Sequence, residues 1–154
     1  MENAYERLLA DLVDSGVLFV TVGGIACALN GHVRATEDVG ILVQRTDENL
    51  LRLLRCLLGF GAGHAAELTI EDFPDEEGAV RIIEDFPLDV FVRMGGRSYE
   101  DLRPDIQTWE AGPVRVPYLN LDGLILLKQE SLRERDRMDV LVLRSLQREA
   151  ATDI

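Results

Sequence analysis

Lysine is nearly absent from this sequence: Lys128 is the only one among 16 basic residues, and the others are arginine. Basic charge as a whole is scarce, because 28 Asp and Glu leave a formal net charge of −12. Binding along a nucleic-acid duplex needs a face of positive potential, so long nucleic acid is a poor partner for this balance. A small basic pocket is still compatible with it. Cysteine is scarce too, with only Cys27 and Cys56, both in apolar runs. Two thiols make neither a disulfide framework nor a zinc site, and both are expected to be buried and free, as in a reducing cytoplasm. His32 and His64 read as loop residues, with no His or Cys at zinc spacing. The first residues are polar and acidic, unlike a secretory leader. Long hydrophobic runs are missing as well. The longest, 17–29, contains Gly23-Gly24 and is too short to span a bilayer, so no membrane partner is expected.

What is present is ordinary globular composition, 47% hydrophobic and 29% charged over 154 residues. The length suits one domain over 1–154 with one core. Tyr5, Leu8, Leu9, Leu12 and Val13 recur at helical spacing, and Gly16 ends that helix. Residues 17–22 read as a buried strand, broken by Gly23-Gly24, with a short helix over 25–29. A second strand covers 37–43. Asp47 is the expected N-cap of a helix over 48–58, which Gly59, Gly61 and Gly63 end. Residues 65–77 read as one short element and an exposed acidic loop. Strands follow at 79–83 and 88–92, then a helical turn at 98–102 and a hairpin of 106–109 with 114–117. Asn120 caps a helix to about residue 130, and a last helix spans 133–147. Trp109 is expected to anchor the core or a sheet edge. The fold class is α+β: a mixed sheet flanked by helices, with a C-terminal helical pair.

Three features point to chemistry. A strand runs through Gly23-Gly24 into a helix, where backbone can approach a ligand closely and phosphate is favoured. A second strand carries Asp38, and a third, Leu88-Asp89-Val90-Phe91, holds a lone acid in an apolar run. A carboxylate there is costly unless it is paired or bound to metal. Neighbouring strands lie roughly 5 Å apart, so Asp38 and Asp89 are expected to converge. Clustered oxygens of this kind suit Mg²⁺ together with substrate phosphates.

The run from Val22-Gly23-Gly24 through Gly31-His32 and Arg34-Ala35-Thr36-Glu37-Asp38-Val39-Gly40-Ile41-Leu42-Val43 resembles the nucleotidyltransferase superfamily, the polymerase-beta-like fold. In particular it is similar to the small bacterial branch related to AbiEii-type toxins. The later Asp89, and Lys128 followed by Arg135-Asp136 and Asp139, match that branch's order. The resemblance implies transfer of a nucleoside monophosphate from a nucleoside triphosphate to a hydroxyl with Mg²⁺. It implies that Gly23, Gly24, Arg34 and Thr36 bind the triphosphate, and that Lys128 does so or partners a carboxylate. Asp38 and Asp89 would be the catalytic carboxylates and the metal ligands.

One position departs from the pattern. The branch has Asp-x-Asp, whose two acids share a strand face, and here Gly40 stands where the second acid belongs. Glu37 points to the opposite face and is a poor substitute. Mg²⁺ binding is therefore expected to be weak or lost, and transfer impaired. The other reading is a non-catalytic module that binds a nucleotide or a co-encoded partner protein, such as the other member of a toxin–antitoxin pair. The acceptor stays open between a cationic small molecule, a protein hydroxyl and an RNA end, and a homodimer is compatible with a domain of this size.

The blander readings are local. Asp89 could pair with a structural arginine, Arg34 could anchor a loop, and Lys128 could snorkel from its helix. Asp136 and Asp139 are expected to be solvated, or paired with Arg133 or Arg135.

Overall fold

The computed structural model describes residues 3–152. Helix α1 (Ala4–Asp14) is capped by the Asn3 side chain, which accepts from the Glu6 amide at 2.8 Å. It buries Leu8, Leu9 and Leu12, the expected face. Strand β1 (Phe19–Val22) is buried along its whole length and runs straight into α2 (Gly23–Leu29). The glycine pair is thus the first turn of the helix, not a break before it. Strand β2 spans Val39–Val43, so Asp38 sits one residue before the strand and not within it.

Helix α3 (Asp47–Leu57) is capped by Thr46, whose hydroxyl accepts from the Asn49 amide, one place earlier than the expected cap; Asp47 is instead its first residue. Asn49 is buried and fixes the start of β1 by accepting from the Leu18 amide at 2.7 Å and donating to the Leu18 carbonyl at 2.9 Å. The acidic stretch that follows holds two short 3₁₀ turns, His64–Glu67 and Ile70–Asp72, where one element was expected. The Thr69 and Asp72 side chains close the second turn as a capping box.

Strands β3 (Ala79–Ile83) and β4 (Pro87–Phe91) form a tight hairpin, and α4 (Tyr99–Leu102) is the expected helical turn. A second hairpin joins β5 (Ile106–Ala111) to β6 (Val114–Leu119). Helices α5 (Leu121–Lys128) and α6 (Glu134–Thr152) then pack on one another. The Asn120 side chain caps α5, as expected, by accepting from the Gly123 amide at 2.9 Å.

The six strands form one sheet in the order β3-β4-β2-β1-β6-β5. It is mixed: β2 lies parallel to β4 and β1 to β6, and the other neighbours are antiparallel. Strand alternation divides the core between its two faces. Phe19, Val39, Ile41, Val43, Leu88 and Val90 pack with α1 and α3. Val20, Val22, Leu42 and Leu119 pack with α2, α4, α5 and α6. The chain is therefore α+β, with helices on both faces of a mixed sheet. Gly40 and Asp89 share the parity of Leu42 and Phe91, which places them on the face of α2, α5 and α6. Trp109 packs partly buried against the core from edge strand β5, edge-on to Tyr118. Cys27 is buried, but Cys56 is only half-buried, because it lies at the flank of α3's apolar stripe. Among the described residues no helix is long and apolar enough to cross a membrane.

Candidate functional site

The β2–β4 ladder sets Gly40 opposite Asp89, and the β3–β4 hairpin sets Arg81 opposite Asp89. The strand carboxylate is thus flanked by a residue with no side chain on one side and a guanidinium on the other. Arg81 donates from Nε to Asp89 Oδ1 at 2.8 Å and from Nη2 to Asp89 Oδ2 at 2.9 Å. Its Nη2 also donates to Asp38 Oδ2 at 3.3 Å. Asp38 and Asp89 therefore do converge, and they do so around an arginine. Burial and the adjacent Asp89 carboxyl push the Asp38 carboxyl above its ordinary range. Burial acts the same way on Asp89, which is 8% exposed, but the Arg81 hydrogen bonds outweigh it and hold Asp89 below the ordinary range.

A cleft of about 450 Å³ opens over these residues, lined by Gly23, Gly24 and Gly40 and by the apolar Phe91, Met94 and Leu127. That volume lies in the range of small-ligand sites. Arg34, Arg81, Lys128, Arg133 and Arg135 line it, against the carboxylates Asp38, Asp89 and Asp136. An acidic chain has gathered about a third of its basic residues around one cleft. Arg133 and Arg135 are exposed and make no ion pair among the described residues.

Arg34 and Lys128 reach the cleft as parts of a buried ion network and not as free cations. At its centre is Asp139, 2% exposed. It accepts from Arg34 Nε at 3.0 Å, from Arg34 Nη2 at 3.2 Å and from Lys128 Nζ at 3.0 Å, and His32 Nε2 lies 2.9 Å away. Lys128 also donates to Asp136 Oδ1 at 3.0 Å, and Ser131 Oγ donates to Asp136 Oδ2 at 2.8 Å. Burial opposes charge on both acids, yet the Lys128 hydrogen bonds, joined by His32 at Asp139 and Ser131 at Asp136, hold both carboxyls below their ordinary range. This corrects the expectation that Asp136 and Asp139 are solvated or paired with Arg133 or Arg135. Helix α6 turns Asp139 inward onto α5, away from those arginines. His32 is a loop residue, as expected, but one anchored to α6.

The two glycines differ in role. Gly23 has φ +70°, a backbone that a side chain would strain, and open space where a Cβ would stand. Gly24 is held by packing, since a Cβ there would lie 2.2 Å from Thr36 Oγ1. Thr36 donates to the Arg34 carbonyl at 3.3 Å and lies outside the cleft, on the neighbouring surface beside Trp109. It supports Gly24 and the Arg34 loop from behind.

The donor set does not fit a divalent-metal cage. Mg²⁺ requires oxygens in near-octahedral array, and Gly40 supplies none where a third carboxylate would stand. The two acids that remain are already neutralised in part by Arg81. Among the described residues no group of three or more His, Cys, Asp or Glu could hold a metal ion. What the arrangement can do is bind an anion. Fixed guanidinium and ammonium groups, glycine backbone and an apolar wall together suit a phosphorylated ligand with a flat apolar part. No protein-family model matches the chain, and no curated protein sequence matches it.

Arg81 was missed by sequence reasoning, and Asp139 and His32 were singled out without the contact that joins them. Arg81 had a readable signal. The hairpin turn pairs Ile83 with Pro87 and Ile82 with Leu88, so counting back from it places Arg81 opposite Asp89. The contacts of His32 and Arg34 with Asp139 join residues 107 and 105 positions apart, and no local pattern encodes them.

Proposed function

We propose that the chain is a nucleotidyltransferase-like protein that binds a nucleoside triphosphate in this cleft. Transfer of its nucleoside monophosphate to a hydroxyl acceptor is slow or lost because Gly40 leaves the carboxylate set incomplete. One observation carries the reading: five basic residues line a single cleft of a chain with net charge −12, beside Asp38, Asp89 and the Gly23–Gly24 turn. Arg133 and Arg135 meet the phosphates at the rim. Lys128, with one N–H beyond those given to Asp136 and Asp139, meets them deeper. The base lies against Phe91, Met94 and Leu127. The grip of Arg81 on both acids favours the non-catalytic form of this reading, a nucleotide-binding module.

Thermal unfolding with each of the four common ribonucleoside triphosphates, with and without Mg²⁺, is the test. At least one should raise the midpoint, and the Arg133→Ala/Arg135→Ala double variant should lose most of the rise. Charge-assisted hydrogen bonds contribute roughly 1.5–3 kcal/mol when formed, less at an exposed rim. A midpoint indifferent to all four triphosphates would remove the reading.

A further inference from the structure

Arg81 stands on β3, one of the two edge strands of the sheet, with its side chain 52% exposed. It holds Asp89 through two parallel hydrogen bonds and reaches Asp38 with the same Nη2. A guanidinium in this position does for two carboxylates what a cation would do. It bridges them, offsets their repulsion and fixes their separation. Nη1 is left over, with no hydrogen-bond partner among the described residues, on a residue that lines the cleft. The charge balance also matches the composition of the site. Two carboxylates and one guanidinium leave a single negative charge, and Gly40 adds none.

We propose that Arg81 is the resident cation of this site: it takes the place of a divalent ion between Asp38 and Asp89 and offers Nη1 to a phosphate of the nucleotide, so that triphosphate binding by this chain needs no metal. The phosphate contact rests on the nucleotide reading above; the clamp on the two acids does not. Unlike a bound ion, this cation is covalently held, so chelators cannot remove it.

Two titrations on the intact chain test the proposal. In the first, Mn²⁺ is added and followed by the loss of its free paramagnetic resonance signal. Wild type is expected to leave the signal free. Arg81→Gln and Gly40→Asp each raise the site to two net negative charges, and each should tighten Mn²⁺ binding at least tenfold. Arg81→Lys, which keeps the charge, should behave like wild type. Half-exposed on an edge strand, Arg81→Gln is expected to fold. If it does not, Gly40→Asp makes the same change in charge. Wild type binding Mn²⁺ as tightly as either charge-raising variant would overturn the proposal.

In the second, calorimetry measures ATP binding in EDTA and in Mg²⁺. Wild type should bind within twofold in both buffers, and Arg81→Gln should bind at least tenfold more weakly in EDTA. ATP binding to wild type only with Mg²⁺ would overturn the proposal. ATP binding to no variant in either buffer would overturn the nucleotide reading and the phosphate contact with it, while the Mn²⁺ titration, which uses no nucleotide, would still decide the clamp.

Discussion

Gly40 lies directly beside Asp89 in the parallel β2–β4 ladder, on the sheet face that opens into the cleft. A carboxylate at position 40 would therefore join Asp38 and Asp89. The space nearly admits it: a Cβ there would stand 3.3 Å from Val22 Cγ2 and 3.7 Å from the Val22 carbonyl. Gly40→Asp should cost about 1 kcal/mol of stability through this close contact. It should raise Mg²⁺-dependent transfer from triphosphate to acceptor by orders of magnitude, measured by pyrophosphate release with each nucleotide. No gain with any of the four would mean that more than one carboxylate separates this chain from activity.

Asp139 is the keystone of α6. Its removal leaves Arg34 without its partner and the buried ammonium of Lys128 with Asp136 alone. Breaking a buried pair from one side costs roughly 3–5 kcal/mol. Asp139→Ala should therefore lower the urea midpoint sharply without changing the slope of the transition. A loss below about 1 kcal/mol would show that the network contributes no more than a surface ion pair does.

Acid should weaken the fold through the same residues. Asp89, Asp136 and Asp139 titrate lower in the folded chain than in the unfolded one. Their contribution is complete above the ordinary carboxylate value of about 3.9 and is lost as pH falls through their lowered values. Asp38, shifted upward, works the other way: its contribution is present at low pH and is lost as pH rises through its raised value. Asp75, Glu84 and Asp101 are lowered as well, so six carboxyls work against one, and the melting temperature should fall steeply below about pH 4. Asp139→Asn should start lower at neutral pH and fall less. Parallel curves for the two proteins would contradict the assignment.

Gly24→Ala should destabilise the chain by about 1–3 kcal/mol, because its methyl group would overlap the Thr36 hydroxyl. Thr36→Ala removes the two nearest atoms and should recover most of the loss in the double variant. Additive effects in this cycle would mean that the two residues do not touch.

Much of this architecture was legible in local patterns. The apolar spacing in α1 and α3, the cap at Asn120 and the strand on either side of Asp89 are encoded within a few residues of where they act. The meeting of Asp38 with Asp89 followed from two neighbouring strands of one sheet, one led by Asp38 and the other carrying Asp89. What surrounds them was not legible in the same way. Arg81 faces Asp89 through hairpin register, which appears only when positions are counted from the turn. Asp139 reaches Arg34 through the packing of α6 on α5, and the phase of a helix as charged as Glu134-Arg135-Asp136-Arg137 does not announce its inner face. The basic cleft is the sum of β3, the loop after α2, α5 and the start of α6, none of which is basic alone.

The central claim is that a nucleotide occupies the cleft over Gly40 and Asp89, and an amide-resolved NMR titration of the labelled chain with ATP in EDTA tests it most directly. The account predicts saturable shifts confined to Gly23, Gly24, Gly40, Asp89 and the residues around Arg133 and Arg135. A spectrum unchanged at millimolar ATP, or shifts gathered instead on the α1 and α3 face of the sheet, would contradict it.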